Sequence, residues 1–481
     1  MELMIPLDSH SEMPYYEQIY EYIREEIKKG NLKSSARIPS TRLLAEHLKV
    51  SRSTTQMAYE QLLSEGYIES VPCKGYFVSR IEELVVTGQE NGGENLFFGM
   101  YPWEVPGDSH PAAAGEAEYK VDFSPRGVDL DSFPFNTWRK ITKTTLVDDN
   151  KEMFATGDPQ GEPAFREAIR GYLHSARGVN CTAEQIVVGA GTEYLLMLLS
   201  RILGPDHTIA MENPTYKQAY RVFKSLGYPV VPVEMDGSGL ETSLLERSGA
   251  DIAYVMPSHQ YPTGIVMPVK RRQELLSWAC KKEGRYLIED DYDSEFRYKG
   301  RPIPALQGND TEGKVIYLGT FSRAIAPSIR ISYMVLPETL LPAYEENGRC
   351  FSATVSKTDQ KILEEFMRSG AFERHLNRMR AQYKGKHDLL IRLLKEFGRE
   401  YTVSGENAGV HVLVHLPRGL SEAEAVQRAK EDGVRVYGLE RYCIGAAADP
   451  VQGGTVLLGY AGLSEEEIAE AAAILKKCWN A

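Results

Sequence analysis

The stretch Ile186-Val187-Val188-Gly189-Ala190-Gly191-Thr192 sets three β-branched apolar residues against a glycine-rich turn. Such a run reads as a buried strand, and the turn after it opens a helix from Glu193. Backbone N–H groups at a helix start point outward and bind anions. The alternation repeats along the chain. Thr208–Met211 precedes a helix from Tyr216, and Ile252–Met256, Tyr286–Ile288 and Val315–Leu318 add further apolar runs. Strands alternating with helices predict an α/β domain with a mostly parallel sheet. Ligands of such sheets sit at the carboxyl ends of the strands, so the residues just after each run carry the chemistry.

Those residues are Gly189-Ala190-Gly191-Thr192, Asn213-Pro214-Thr215-Tyr216, Pro257-Ser258-His259-Gln260-Tyr261-Pro262-Thr263-Gly264, Glu289-Asp290-Asp291-Tyr292 and Gly319-Thr320-Phe321-Ser322-Arg323, followed by Arg330. An anion site, a ring for stacking, a carboxylate, a phenol and an arginine are thereby expected on one rim. His259 reads equally well as a structural hydrogen-bonding group.

The first eighty residues follow a different pattern. Tyr16, Ile19, Tyr20, Ile23 and Ile27 fall at helical spacing. Ser40 caps a second helix that is expected to turn Leu43, Leu44 and Leu48 inward. After a short turn at Lys49-Val50, Ser51 caps a third helix to about Glu65, with Thr55, Ala58, Tyr59 and Leu62 inward and Ser51, Arg52, Ser53, Thr54 and Gln56 on its polar opening face. Tyr67–Ser70 and Gly75–Val78 read as a hairpin with its tip at Pro72-Cys73-Lys74-Gly75. Two short helices around a tight turn, followed by a hairpin, form a winged helix-turn-helix. Between Ile27 and Tyr59, seven basic residues face a single acidic one, Glu46, for a local charge of +6, whereas the chain carries −12 overall. Phosphate repels an acidic surface, so DNA binding has to come from this local basic stripe.

The chain has 481 residues, 42% hydrophobic and 25% charged, as a multidomain globular protein does. Six scattered cysteines contain no CxxC pair, which argues against a metal centre or a disulfide framework and suits a cytoplasmic location. Neither a secretory signal nor a membrane-spanning run is evident. Glycine, proline and polar residues without periodicity mark 81–119 as a linker between a head at 10–80 and a large domain at 120–481, whose smaller α/β subdomain begins at about 350.

Two resemblances become specific on these residues. The stretch RIPSTRLLAEHLKVSRSTTQMAYEQLLSEGYIES followed by KGYFV is similar to the winged-helix domain of GntR-family regulators. The resemblance places DNA contacts on Arg42, Ser51, Arg52, Thr54 and Gln56, with Lys74 and Gly75 in the wing. The ordered motifs of the large domain, including Phe154-Ala155-Thr156-Gly157-Asp158-Pro159-Gln160-Gly161, resemble fold-type I pyridoxal-phosphate (PLP) enzymes, and in particular the aminotransferase-like domain of MocR-type regulators. That resemblance implies that Tyr216 stacks on the pyridine ring, Asp290 pairs with the ring nitrogen and Tyr292 bonds the ring hydroxyl. It also implies that Gly191, Thr192, Thr320, Ser322 and Arg330 hold the phosphate, and that the chain is a homodimer on two DNA half-sites.

The sequence departs from that family at one decisive position. Arg323 stands where the family has the lysine that bonds the cofactor aldehyde. A guanidinium stays protonated, with a pKa above about 12, and offers no lone pair for attack. Nothing in the spacing supports Lys299 or Lys314 as a substitute. Efficient transamination is therefore not expected. The expected function is a DNA-binding transcriptional regulator whose large domain senses PLP or a PLP–amine adduct, held noncovalently. An aminotransferase with an accessory DNA-binding head, and a regulator that has lost PLP and keeps the domain as a dimerisation scaffold or for another ligand, remain as alternatives. Arg323 itself is open to being natural or an engineered block.

Overall fold

A computed structural model describes residues 5–8, 11, 13–29, 31–33, 36–64, 67–71, 75–78, 119–146, 151–298, 304–406, 408–445 and 454–480. The chain divides into two units, Met1–His110 and Pro111–Ala481. The proposed linker lies outside the described residues except for Tyr119, and so does the wing tip Pro72-Cys73-Lys74.

The first unit comprises α1 (Tyr15–Lys28), β1 (Arg37–Ile38), α2 (Thr41–Leu48), α3 (Arg52–Ser64), β2 (Ile68–Val71) and β3 (Gly75–Val78). Ile19, Tyr20, Ile23 and Ile27 of α1 are buried against Ala58, Tyr59 and Leu62 of α3. The Ser40 hydroxyl accepts from the Leu43 N–H at 3.2 Å, and Ser51 does the same for Thr54 at 3.1 Å, so both expected caps form. One inward assignment is wrong. Leu43 is 57% exposed. The buried face of α2 is Thr41, Leu44 and Ala45, spaced i, i+3, i+4, and Leu43 falls about 100° off it. Thr55 donates to the Thr41 carbonyl (2.8 Å) and Tyr59 to that of Pro39 (2.9 Å), which pins α3 across the start of α2. The hairpin β2–β3 gains a third strand that the sequence reading lacked, β1, antiparallel to β3.

The turn between α2 and α3 runs through Lys49 in the left-handed region, φ 55° and ψ 37°. A Cβ there costs energy that glycine avoids. Lys49→Gly is therefore expected to stabilise α2–α3 by about 0.5–1 kcal/mol, the gain being cut by glycine's freer unfolded chain. Slower amide hydrogen exchange across residues 41–64 of the full chain would register it.

The second unit begins with β4 (Val121–Asp122), α4 (Phe135–Thr145), α5 (Pro163–Arg177), β5 (Ile186–Gly189), α6 (Thr192–Leu203), β6 (Ile209–Asn213), α7 (Lys217–Ser225), β7 (Val230–Asp236), β8 (Gly239–Leu240), α8 (Thr242–Arg247), β9 (Ile252–Val255), α9 (Val269–Cys280), β10 (Tyr286–Asp291), β11 (Val315–Thr320) and β12 (Ser332–Val335). It continues with α10 (Leu341–Asn347), α11 (Lys357–Arg368), α12 (Ala371–Leu394), β13 (Thr402–Ser404), β14 (His411–His415), α13 (Glu422–Glu431), β15 (Val434–Arg435), β16 (Tyr437–Gly438), β17 (Thr455–Gly459) and α14 (Glu465–Trp479).

Eight strands form one sheet in the order β5-β12-β11-β10-β9-β6-β7-β8. The pairings from β11 through β7 are parallel, and those of β12 and β8 are antiparallel. Both faces are covered, as continuous apolar strands require. Val187 packs with Leu195 and Leu199 of α6, while Ile186 and Val188 turn to Phe165 and Ile169 of α5. A second, antiparallel sheet runs β13-β14-β17-β16 and packs against α12, α13 and α14. The segment that enters this unit is stitched to the same region, because β4 lies parallel to β15 and the Gly459 N–H donates to the Phe123 carbonyl at 2.9 Å.

Candidate functional site

The register of the large sheet builds an anion cradle. Gly189 of β5 pairs with Ser332 of β12, and Ser332 pairs with Thr320 of β11. The carboxyl ends of β5 and β11 thus lie level, one strand apart, and the turns 189–192 and 320–323 emerge side by side. Gly191 has φ 96° and caps α6, whose first residue is Thr192. A Cβ on Gly191 would collide with the Arg330 guanidinium, so only glycine fits there. Arg330 is held by Glu193 at 2.9 Å. The Thr320 hydroxyl accepts from the Ser322 N–H (3.2 Å) and from Ser332 Oγ (2.9 Å), which fixes the second turn. The structure brings Gly191, Thr192, Thr320, Ser322 and Arg330 to this one edge, where α6's N-terminal amides and a guanidinium favour a phosphate-like group.

Beside the cradle, alternation along β10 sends Asp290 to one face and Glu289 and Asp291 to the other. Below the sheet, Asp291 Oδ2 accepts from Arg177 (2.7 Å) and Tyr317 (2.6 Å) while its Oδ1 is buried without a partner, and Glu289 accepts from the N–H groups of Leu306 and Gln307. Asp290 accepts from the buried Tyr254 phenol. Burial, more than that bond opposes, pushes its carboxyl from 3.8 up to about 7. Tyr216 caps α7 and meets Tyr261 edge to face, with centroids 5.9 Å apart, and the Arg126 guanidinium lies 5.9 Å from its ring.

Tyr292 sits 2.9 Å from His259 Nδ1, which also lies 3.0 Å from the Asp293 carboxylate. A carboxylate can only accept, so Nδ1 carries the hydrogen and Tyr292 Oη accepts from it as well. The Tyr292 hydroxyl hydrogen is then left to donate elsewhere. His259 is thus hydrogen-bonded through Nδ1 while its Nε2 is buried without a partner, and Asp293 is a residue that sequence reasoning missed. His411 gives its Nε2 hydrogen to the Pro262 carbonyl (2.9 Å), and burial holds its pKa down at about 3, so its orphaned Nδ1 is a bare acceptor.

Arg323 follows β11 directly. Its Nη2 donates to the Pro125 carbonyl at 3.0 Å, and its Nη1 is buried with no partner. Among the described residues no carboxylate forms an ion pair with it. Its charge is felt by Tyr216, Tyr292, Tyr383 and His411. Pro125 and Arg126 precede the periodic part of the domain, which is why no sequence signal marked them. Lys314 stands before the first residue of β11, at the opposite end of the strand from Arg323, with its ammonium 5.5 Å from the Tyr286 ring centroid; Lys299 lies outside the described residues. The buried Lys386 is engaged by Asp129 (2.8 Å) and the Ala461 carbonyl (3.0 Å).

On the head, Arg42, Ser51, Arg52 and Gln56 are exposed and Thr54 is half-buried. Arg42 reaches Glu46 at 3.4 Å, Gln56 donates to Glu60 at 2.9 Å, and Ser51 shares hydrogen bonds of 2.7 Å with Ser53 and Thr54. Gly75, at φ 102°, opens β3 beside Arg37, and Lys74 lies outside the described residues. Among the described residues no helix is long and apolar enough to cross a membrane, and no cluster of His, Cys, Asp and Glu could hold a metal.

Comparison with known proteins assigns both parts. Residues 15–78 match the family of bacterial regulatory proteins, gntR family, and residues 128–475 match aminotransferase class I and II. Over 480 residues the chain is 38% identical to the uncharacterized HTH-type transcriptional regulator YhdI of Bacillus subtilis, covering 100% of this chain and 98% of that one. It is 33% identical to the probable rhizopine catabolism regulatory protein MocR of Rhizobium meliloti (97% and 94% covered) and 29% identical to the HTH-type pyridoxine biosynthesis transcriptional regulator PdxR of Corynebacterium glutamicum (93% and 93%). Among solved structures, the multiple substrate aminotransferase of Thermococcus profundus is 25% identical with a TM-score of 0.68, covering 76% of this chain and 92% of that one.

Proposed function

Because the chain belongs to the MocR-type branch of the GntR-family transcriptional regulators, with an aminotransferase class I and II domain behind its DNA-binding head, we propose that this domain is a noncovalent sensor of PLP or of a PLP–amine adduct. The observation that carries the reading is the meeting, at one sheet edge, of an anion cradle, a buried carboxyl and an aromatic ring; the resemblance to PLP enzymes would set Arg323 at the position of their bond-forming lysine.

The residues fit the cofactor. Gly191, Thr192, Thr320, Ser322 and Arg330 would take its phosphate, and the cradle accepts no Cβ at Gly191. Asp290 would face the ring nitrogen, and a protonated nitrogen there would give the buried carboxylate the counter-charge it lacks. Tyr216 would lie on the ring. Tyr292, whose oxygen accepts from His259, would turn its hydroxyl hydrogen to the ring oxygen. When bound, PLP supplies an aldehyde that takes up amines, and Arg323 holds a proton that it does not release, so it neither attacks that carbon nor shuttles hydrogen. The name of the pyridoxine-biosynthesis relative supports a B6 vitamer as ligand.

In this proposal the chain works as a homodimer whose two heads read an operator of double-stranded DNA. Ligand that favours one arrangement of the large domain shifts how the heads bind. The test is direct. The purified chain is incubated with PLP and desalted, its absorbance is recorded, and its affinity for an operator selected from random-sequence DNA is measured with and without PLP. Retained absorbance with changed affinity supports the sensor. Unchanged affinity overturns it. Measurable turnover of an amino acid and a keto acid would favour the enzyme instead.

For the head, the exposed Arg52 at the start of α3 is proposed to contact bases, with Arg42, Ser51, Thr54, Gln56, Lys74 and Gly75 around it. Arg52→Ala is expected to weaken operator binding by about tenfold or more and to narrow the gap between operator and unrelated DNA. Fluorescence anisotropy with both DNAs at one fixed salt concentration checks this.

A further inference from the structure

We infer that Arg323 is the receptor for a carboxylate on the ligand, so that the effector is a PLP adduct of an amino acid rather than of a simple amine. The inference rests on the sensor reading above. Four observations lead to it.

A guanidinium is a planar fork whose N–H groups match the two oxygens of a carboxylate. Arg323 uses Nη2 on the Pro125 carbonyl and leaves Nη1 buried with nothing to donate to. Buried donors in folded proteins are almost always satisfied, so a charged one left over beside a candidate ligand site is suited to take a ligand's acceptor. Among the described residues no carboxylate pairs with Arg323, and a carboxylate on the ligand would fill its fork.

The phosphate is not that acceptor. The anion cradle has its own guanidinium, Arg330, packed on Gly191 and tied to Glu193. Arg323 instead acts on Tyr216, Tyr292, Tyr383 and His411. The two arginines therefore serve separate groups, one at the phosphate and one where the cofactor's reactive carbon would face.

Other receptors are occupied or lacking. The buried strand Thr455–Gly459 carries no arginine, and Tyr460 after it donates to the Gly409 carbonyl. Arg435 lies on the rings of Tyr119 and Tyr437 near Asp122, and Arg441 lies on Tyr437 and Tyr442. Among the described residues, Arg126, exposed above the Tyr216 ring, is the other guanidinium to be compared with it.

The experiment compares three probes by titration calorimetry on the full chain: pyridoxamine 5′-phosphate, N-(5′-phosphopyridoxyl)ethylamine and N-(5′-phosphopyridoxyl)-L-alanine. The last two differ by the carboxylate alone. The alanine adduct is expected to bind about tenfold or more tighter than the ethylamine adduct, as a charge-assisted pair in a partly buried site provides. In Arg323→Gln the ratio is expected to fall to about one, whereas Arg126→Gln keeps it. Equal binding of the two adducts by the unaltered chain, with pyridoxamine phosphate bound, overturns the inference and leaves the sensor intact. Loss of the ratio in Arg126→Gln but not in Arg323→Gln overturns it too. No binding of any probe overturns both.

Discussion

Arg323→Lys is expected to convert a chain that leaves no borohydride-fixed PLP into one that fixes it at residue 323, from below detection to most of the protein. The amine of lysine can lose its proton, which a guanidinium cannot, and the free amine attacks an aldehyde. The position is prepared for it. It follows β11 beside Thr320 and Ser322, and the charge now there is felt by Tyr216 and Tyr292. Partial burial favours the neutral amine further. Peptide masses after reduction locate the adduct. Fixation in the unaltered chain, at Lys386 for instance, would refute noncovalent sensing. Failure of the lysine variant to fix PLP while still binding it would show that the aldehyde does not face residue 323.

Asp290→Asn is expected to act in opposite directions on ligand and on fold. The amide keeps an oxygen for the Tyr254 phenol but cannot answer a protonated ring nitrogen, so PLP affinity is expected to drop by roughly 10- to 100-fold, the worth of a charge-assisted bond. Without ligand, the same change removes a carboxylate that is costly to ionise. Asp290 keeps its proton in the native state to about pH 7, whereas an unfolded aspartate loses it near 3.8. Between those values the native state binds more protons than the unfolded one, so this group's contribution to stability falls as pH rises. The asparagine variant has no such slope. Its melting temperature, equal to that of the unaltered protein near pH 4, is expected to pull ahead as pH rises and to level off above about 7, an advantage of about 2–4 kcal/mol. Equal melting curves at pH 8 would mean that Asp290 is ionised at little cost in the ligand-free protein.

Most strands of the large sheet were legible because they are buried on both faces and read as short, largely apolar runs. Ser332–Val335 was not, since Ser332 and Tyr333 interrupt its apolar run, yet it ties the two halves of the cradle together. The cradle turns, Tyr216, Tyr292 and Arg323 were singled out because each comes just after a strand, and Asp290 because it stands at the carboxyl end of β10. Tyr254 and Asp293 were missed because their partners, Asp290 and His259, lie 36 and 34 residues away and the fold alone brings them together. Leu43 was misplaced for a local reason. In an eight-residue helix, two adjacent leucines cannot share one face, and the sequence does not say which is inside until α3 is set against it.

The route by which the chain enters the second unit bears on regulation. Residues 121–123 are woven into the C-terminal region, and two residues later the Pro125 carbonyl is gripped by Arg323 at the edge of the large sheet. A pull transmitted along the backbone meets the pairings at 120–123 first and that carbonyl next. In the proposed sensor, a ligand carboxylate on Nη1 would bear on the same side chain whose Nη2 holds this carbonyl. On the proposed reading the ligand site and the entering segment share Arg323, and linkage would make any coupling between ligand and DNA reciprocal.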